Sequence, residues 1–152
     1  MPGIKVIATN RKAGRDYTLE DKREAGLALL GTEIKSIRAG RVNLSDGYVQ
    51  PRSGELWLIN VHIAPYDPAG RQGHDPLRPR KLLLHRREID RLTARVRERG
   101  YTIVPTRLYL KGGLAKVEIA LAKGKRKFDK RQAIAKRTSQ RDIERALKER
   151  HT

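Results

Sequence analysis

The strongest chemical signal in the chain is a set of cations with few anions to answer them. Three clusters stand out: Asn10, Arg11, Lys12 and Arg15; Arg78, Arg80, Lys81, Arg86 and Arg87; and the run from Lys123 to Arg131. Lys and Arg neutralise phosphates and release counterions, which gives affinity for a polyanion without reading its sequence. One cluster could be a plain solvated face. Three of them, on 152 residues with 35 Lys+Arg, 17 Asp+Glu and a net charge of +18, make that account poor. A charge of this size speaks about partners rather than fold. It points to nucleic acid before an anionic membrane.

Other chemistry lacks its residues. With no cysteine there is no thiolate nucleophile, disulfide framework or Cys-ligated zinc, and a reducing, cytoplasmic setting suits the chain. Of His62, His74, His85 and His151, only His85 has a carboxylate near it at a workable spacing, Glu88. A surface or RNA-facing histidine explains His85 better than a two-ligand metal site. Gly26 and Gly31 have the glycine spacing of a phosphate-binding loop, but Thr32 stands where the lysine must be. No G-x-S-x-G elbow is present. Asp16, Glu20, Asp21 and Glu24 read as the solvated face of a strand. The expectation is therefore no catalytic residue, no metal, no cofactor and no enzyme. No apolar run approaches the roughly 18 residues that cross a bilayer. With one Trp, one Phe and five Tyr, a platform that stacks many bases is not expected.

The elements that must carry these cations are mostly strands. Trp57, Ile59, Val61 and Ile63 alternate, which is strand periodicity. With Arg52-Ser53-Gly54 as the turn, residues 43–63 read as one hairpin. A second hairpin has Leu108 and Leu110 before Gly112-Gly113, and Val117, Ile119 and Leu121 after it. Two glycines suit a two-residue loop at positive φ. Tyr17 to Leu30 could be strand or helix, because Ala25, Leu27, Ala28, Leu29 and Leu30 form a near-continuous apolar run; Gly26 and Gly31 favour a long bent strand. Arg86 to Arg99 predicts a helix with Ile89, Leu92 and Val96 inward and Gly100 beyond its end. Thr32 to Arg38 predicts a short helix with Ile34 and Ile37 inward, and Glu33, Lys35, Ser36 and Arg38 outward. Five to six strands with a late helix suggest a small Greek-key barrel over residues 1–122.

Residues 123–152 have a different character. Twelve basic residues meet four acidic ones, with few large apolar groups. Such a segment cannot bury enough apolar surface to offset its ordering entropy, so it is expected to be disordered when free. Ser139 with Asp142, and Ile143 with Leu147, give its end a helical bias on a polyanion.

Several blocks, in order, make the chain resemble the small protein B (SmpB) family of bacterial trans-translation. They are Asn10–Ala13 with Tyr17, Glu24–Gly40, Asp75–His85, Gly100–Pro105 and Ala122–Arg131. The resemblance covers essentially the whole chain. It implies a mainly β, OB-like barrel with inserted short helices and a basic tail. It also implies an RNA-binding adaptor that grips the tRNA-like domain of transfer-messenger RNA (tmRNA) and delivers it to stalled ribosomes. The implied partners are tmRNA, the ribosome with its small-subunit RNA and, indirectly, the elongation factor carrying charged tmRNA. A monomer in solution, cytoplasmic, with no membrane partner, is expected.

Carried over onto this sequence, Glu33 matches the acid of the family's G-x-E-[VI]-K-S motif, which helps to form the RNA-binding surface. Asn10, Lys12, Lys35, Ser36, Arg38, Leu83 and His85 lie at further family positions implied in RNA binding, and Arg11, Arg80 and Lys81 join them as RNA-binding candidates from the basic clusters. Core packing explains Leu83 equally well, and the family carries Asn or His at the His85 position. Lys123, Gly124 and Lys125 match a basic RNA-facing turn. Asp129, Lys130 and Arg131 open the tail, which is expected to enter the empty message channel and decoding site with Lys136, Arg137 and Arg141. From Gln132 onward the chain departs from the K-E-R-E-W-like run of some members. The alternative reading is a generic basic ribosome-associated or nucleoid-type structural protein that binds RNA or DNA without discrimination.

Overall fold

The computed structural model describes residues 3–65, 74–98 and 100–124, so the expectations for Lys125 and for the tail lie outside the described residues. The described chain opens with β1 (Ile4–Thr9), α1 (Arg11–Asp16), β2 (Tyr17–Leu27) and α2 (Gly31–Arg38). It continues through β3 (Val42–Asn43), β4 (Tyr48–Arg52), β5 (Glu55–Ile59), β6 (His62–Ile63) and β7 (Arg80–Leu83). It ends with α3 (Arg86–Val96), β8 (Tyr101–Lys111) and β9 (Leu114–Gly124).

One antiparallel sheet runs in the order β1-β8-β4-β5-β7-β2-β9, and β9 pairs back onto β8. That last pairing closes six of its strands into a barrel and leaves β1 as an outer strand on β8. Closure hides the strand edges that would otherwise invite association. The closing ladders are long: β9 pairs with β2 from Tyr17↔Gly124 to Gly26↔Lys116, and with β8 from Tyr101↔Lys123 to Lys111↔Leu114. The interior holds Ala25, Val49, Leu56, Leu58, Leu82, Ile103, Leu108, Val117, Ile119 and Leu121. β9 continues through Lys123 and Gly124 as strand, two residues beyond the compositional break.

The mainly β, OB-like architecture read from the sequence is the one found. Gly112 and Gly113 make the two-residue turn at φ +57° and +80°. The long strand over β2 and the α3 helix are both present, with Ile89 and Leu92 buried and Gly100 just beyond at φ +87°. Three expectations are corrected. The 43–63 hairpin is split: β4 and β5 pair around Ser53-Gly54, while β3 and β6 form a separate small ladder. On β5 the inward residues are Leu56 and Leu58, with Trp57 and Ile59 on the other face. Asn60, at φ +58°, changes the phase, so Val61 and Ile63 still reach the core. The first basic cluster also has more structure than expected. It forms α1, whose first turn is capped when the Asn10 side-chain oxygen accepts from Ala13 N at 3.2 Å.

Candidate functional site

The short helix α2 departs most from its sequence reading. Glu33 and Ser36 face inward, each 0 % exposed, and Ile37 joins them; Lys35 and Arg38 do face outward. Glu33 is the centre of a buried network. Its Oε2 accepts from Arg80 Nε at 2.6 Å and from Arg78 Nε at 3.3 Å. Its Oε1 accepts from Arg78 at 2.5 Å and from Leu30 N at 2.7 Å, which also caps α2. Arg80, 0 % exposed, donates onward to the carbonyls of Val61 and Pro76. Burial pushes the Glu33 carboxyl up, but the bonds from Arg78, Leu30 N and Arg80 outweigh it and hold it below the usual carboxylate range.

This overturns the outward placement of Glu33 and Ser36, and Arg80 is not part of a surface cluster. A buried carboxylate needs a partner, and the arginines 45 and 47 positions away in the chain supply it. The second basic cluster therefore breaks up: Arg78 and Arg80 answer Glu33, and Arg86 bonds Glu55 and the Gly54 carbonyl. Ser36 Oγ donates to the Ala64 carbonyl, and His74 bridges Thr32 and the Ile63 carbonyl. Together these bonds strap α2 and the approach to β7 onto the barrel.

On the outside of the barrel a groove of about 350 Å³ opens among Glu24, Gly26, Leu83, His85, Glu88 and Lys116. The sheet register builds it. Leu83 on β7 lies opposite Gly26 on β2, which lies opposite Lys116 on β9. The three form one row across three strands, and the middle position has no side chain. A Cβ at Gly26 would come within 3.2 Å of Leu83 Cβ, so the glycine keeps the slot open. Leu83 is 52 % exposed, which excludes core packing as the account of it.

The groove is charged on purpose-built supports. Glu24 Oε2 accepts from Tyr109 Oη at 2.5 Å and from Lys111 Nζ at 3.3 Å. The tyrosine bond, against a smaller opposing effect of burial, holds Glu24 below the usual carboxylate range. Glu88 accepts from Arg23 at 3.1 Å and from His85 N at 3.3 Å. The groove thus sets an exposed leucine beside a lysine and two fixed carboxylates. A nucleotide fits that set: Leu against a sugar or base face, Lys116 at a phosphate, carboxylates at base amines or 2′-hydroxyls.

Leu83 and His85 are brought together here, while Glu24 and Lys116 are additions that the sequence reading missed. Their spacing carries no signal, because they join through strand pairing. Of the other expected residues, Arg11 and Lys12 are exposed on α1, Lys81 is half-buried on β7, and Lys123 lies over the Tyr101 ring. Asn10 is buried, with its amide nitrogen donating to the Leu44 and Pro105 carbonyls, and serves α1 rather than the surface. Among the described residues there is no group of three or more His, Asp or Glu that could hold a metal, and no helix is long and apolar enough to cross a membrane.

A closed OB-like barrel with a base-sized groove and cationic margins defines a class: a small basic barrel protein with a surface suited to folded nucleic acid. The chain belongs to the SmpB protein family, whose model matches residues 7–149. It is 62 % identical over 147 residues to the SsrA-binding protein of Roseiflexus sp. (strain RS-1), covering 96 % of this chain and 93 % of that one. It is 58 % identical over 146 residues to the SsrA-binding protein of Geobacillus kaustophilus (strain HTA426), covering 96 % and 94 %. A chain in a solved structure described as "tmRNA-SmpB: a journey to the center of the bacterial ribosome" matches with a TM-score of 0.67 and 45 % identity. That match covers 78 % of this chain and 84 % of the other.

Proposed function

We propose that the chain is an RNA-binding adaptor of trans-translation: it binds the tRNA-like domain of tmRNA and brings it to stalled ribosomes. Membership of the SmpB family carries this reading, with relatives named for SsrA binding and a structural match to a tmRNA–SmpB ribosome structure. Its partners are tmRNA and the ribosome, which sets its work in the cytoplasm. At residue level, the Leu83–Gly26–Lys116 row is the part of the surface that reads the folded RNA, with Glu24 and Glu88 accepting from base or ribose donors. Lys81 beside it on β7, and Arg11, Lys12, Lys35, Arg38 and Lys123 farther out on the surface, supply phosphate contacts. Glu33, Arg80, Ser36 and Asn10 act from inside by fixing the elements that carry those cations. Nothing in this role asks for chemistry by the protein itself. The tail from Lys125 onward is the segment assigned to the message channel, beginning with Asp129, Lys130 and Arg131.

Fluorescence anisotropy with the isolated tRNA-like domain, at several salt concentrations and against an equal-length RNA duplex, tests the reading. A preference of a hundredfold, about 2.7 kcal/mol, that survives physiological salt is expected for shape-specific recognition. Equal affinities that collapse together with salt would instead describe the undiscriminating basic protein.

A further inference from the structure

The groove stops at Leu83, but the wall that carries it continues. On β7 burial alternates: Arg80 and Leu82 are buried, while Lys81 and Leu83 face outward together. Lys81 lies opposite Trp57 on β5, and Trp57 lies opposite Gln50 on β4. On its other side the Lys81 carbonyl accepts from Ala28 N at 3.0 Å, just past the end of β2. A second row, Ala28–Lys81–Trp57–Gln50, therefore crosses the outside of the barrel next to the Gly26–Leu83 row. Two residues along a strand span about 6.7 Å, the scale of the step from one nucleotide to the next.

Trp57 is the single tryptophan of the chain and is only half-buried on this outer face. Its indole nitrogen donates to the Arg52 carbonyl at 3.3 Å. That bond ties the ring to the β4–β5 turn and uses its one polar hydrogen. What remains for a partner is ring carbon, which can stack on a base or sugar but cannot donate to it. The residues around it are small or cationic. Ala28 is exposed and adds only a methyl group, and Lys81 is half-buried. Arg52 is exposed, with its guanidinium on the Gln50 amide oxygen at 2.9 Å. Glu55, directly opposite Arg52, pairs with Arg86 at 2.9 Å. An aromatic ring flanked by cations, one strand over from an exposed leucine, suits an unstacked nucleotide: ring against base, cations against phosphate.

We propose that the RNA surface continues from the groove onto this row, with Trp57 stacking on the base or ribose of the nucleotide next to the one that Leu83 meets, and Lys81 and Arg52 at its phosphate. This rests on the RNA-binding reading above, and adds to it a stacking residue and a direction, from β2 across β7 onto β5. A chain this poor in aromatic residues does not hold a run of bases, but one ring suffices for one nucleotide.

The single tryptophan makes the test direct. The full chain is titrated with the isolated tRNA-like domain in two parallel series. Anisotropy of end-labelled RNA reports binding; with unlabelled RNA, tryptophan emission reports Trp57 alone. Emission should be quenched, and the quenching should saturate with the anisotropy. Trp57→Phe, which keeps a ring, should bind within about threefold of wild type. Trp57→Leu, which keeps apolar bulk without a stacking face, should bind about tenfold more weakly. Circular dichroism and urea unfolding check that both variants fold, and the quenching needs no variant. Binding by anisotropy with unchanged emission overturns the proposal and leaves the adaptor reading in place. Trp57→Leu binding as tightly as wild type does the same. No binding by anisotropy overturns both.

Discussion

Glu33 shows how far a side chain's role can lie from its apparent position. On an eight-residue helix rich in charge it looks like a surface acid, yet it holds two arginines and the helix's own first turn. Removing one member of a buried pair leaves the other uncompensated. Glu33→Gln is therefore expected to cost about 3–5 kcal/mol of stability, read by urea unfolding. Because the folded protein holds this carboxyl below its unfolded value, its contribution is present above about pH 4.3 and is lost as pH falls through the folded value. Unfolding free energy should thus fall on acidification below about pH 4, and more gently in Glu33→Gln. A variant with the wild-type slope would remove Glu33 from that account. Leu83 is the opposite case. It is half exposed, so Leu83→Ala should change stability by no more than about 0.5 kcal/mol. Affinity for the tRNA-like domain should nonetheless fall about tenfold, or about 1.4 kcal/mol. Gly26→Val, which fills the slot, should weaken binding at least as much; wild-type affinity in Gly26→Val would show that the groove is not entered.

At the scale of elements, pairing does the positioning. β9 holds β2 on one side and β8 on the other along nearly its whole length, so its turn at Gly112-Gly113 sets the register of the barrel wall. Gly113 lies at φ +80°, where an L side chain costs roughly 1–2 kcal/mol. Gly113→Ala should lower stability by that amount in chemical denaturation, with the fold and RNA binding retained. Much at this scale was legible in the sequence. Leu108, Val117, Ile119 and Leu121 alternate, and Ile89 and Leu92 repeat helically, because burial on one face imposes a period that needs no partner to be seen. The β5 face was misread because Leu56, Trp57, Leu58 and Ile59 are all apolar, and a continuous apolar run carries no phase.

At the scale of the whole molecule, net charge and chain division govern behaviour. With a charge of +18, RNA affinity should fall steeply and linearly in log salt, while the shape-specific preference changes far less. A chain cut after Gly124 keeps every described strand and should fold and bind the tRNA-like domain. It should fail to support tagging of stalled products in a reconstituted translation reaction; equal tagging by both chains would remove the tail's assigned role. A cut after Ala122 is expected to be less stable, because Lys123 and Gly124 pair with Thr18 and Tyr17 on β2 and Lys123 with Tyr101 on β8.

The sequence alone determined the broad class of partner, the basic tail, the strand-rich body, the tight turn at Gly112-Gly113 and the helix α3. Each follows from composition or from a local period. Only tertiary structure decided that Glu33, Ser36 and Arg80 lie inside, that Asn10 is a cap, and that Glu24, Gly26, Leu83 and Lys116 share a groove. Those facts depend on which strands pair and in what register. Leu83 and Lys116 stand 33 positions apart and meet only across Gly26, and no pattern along the chain records a neighbour made by a third strand.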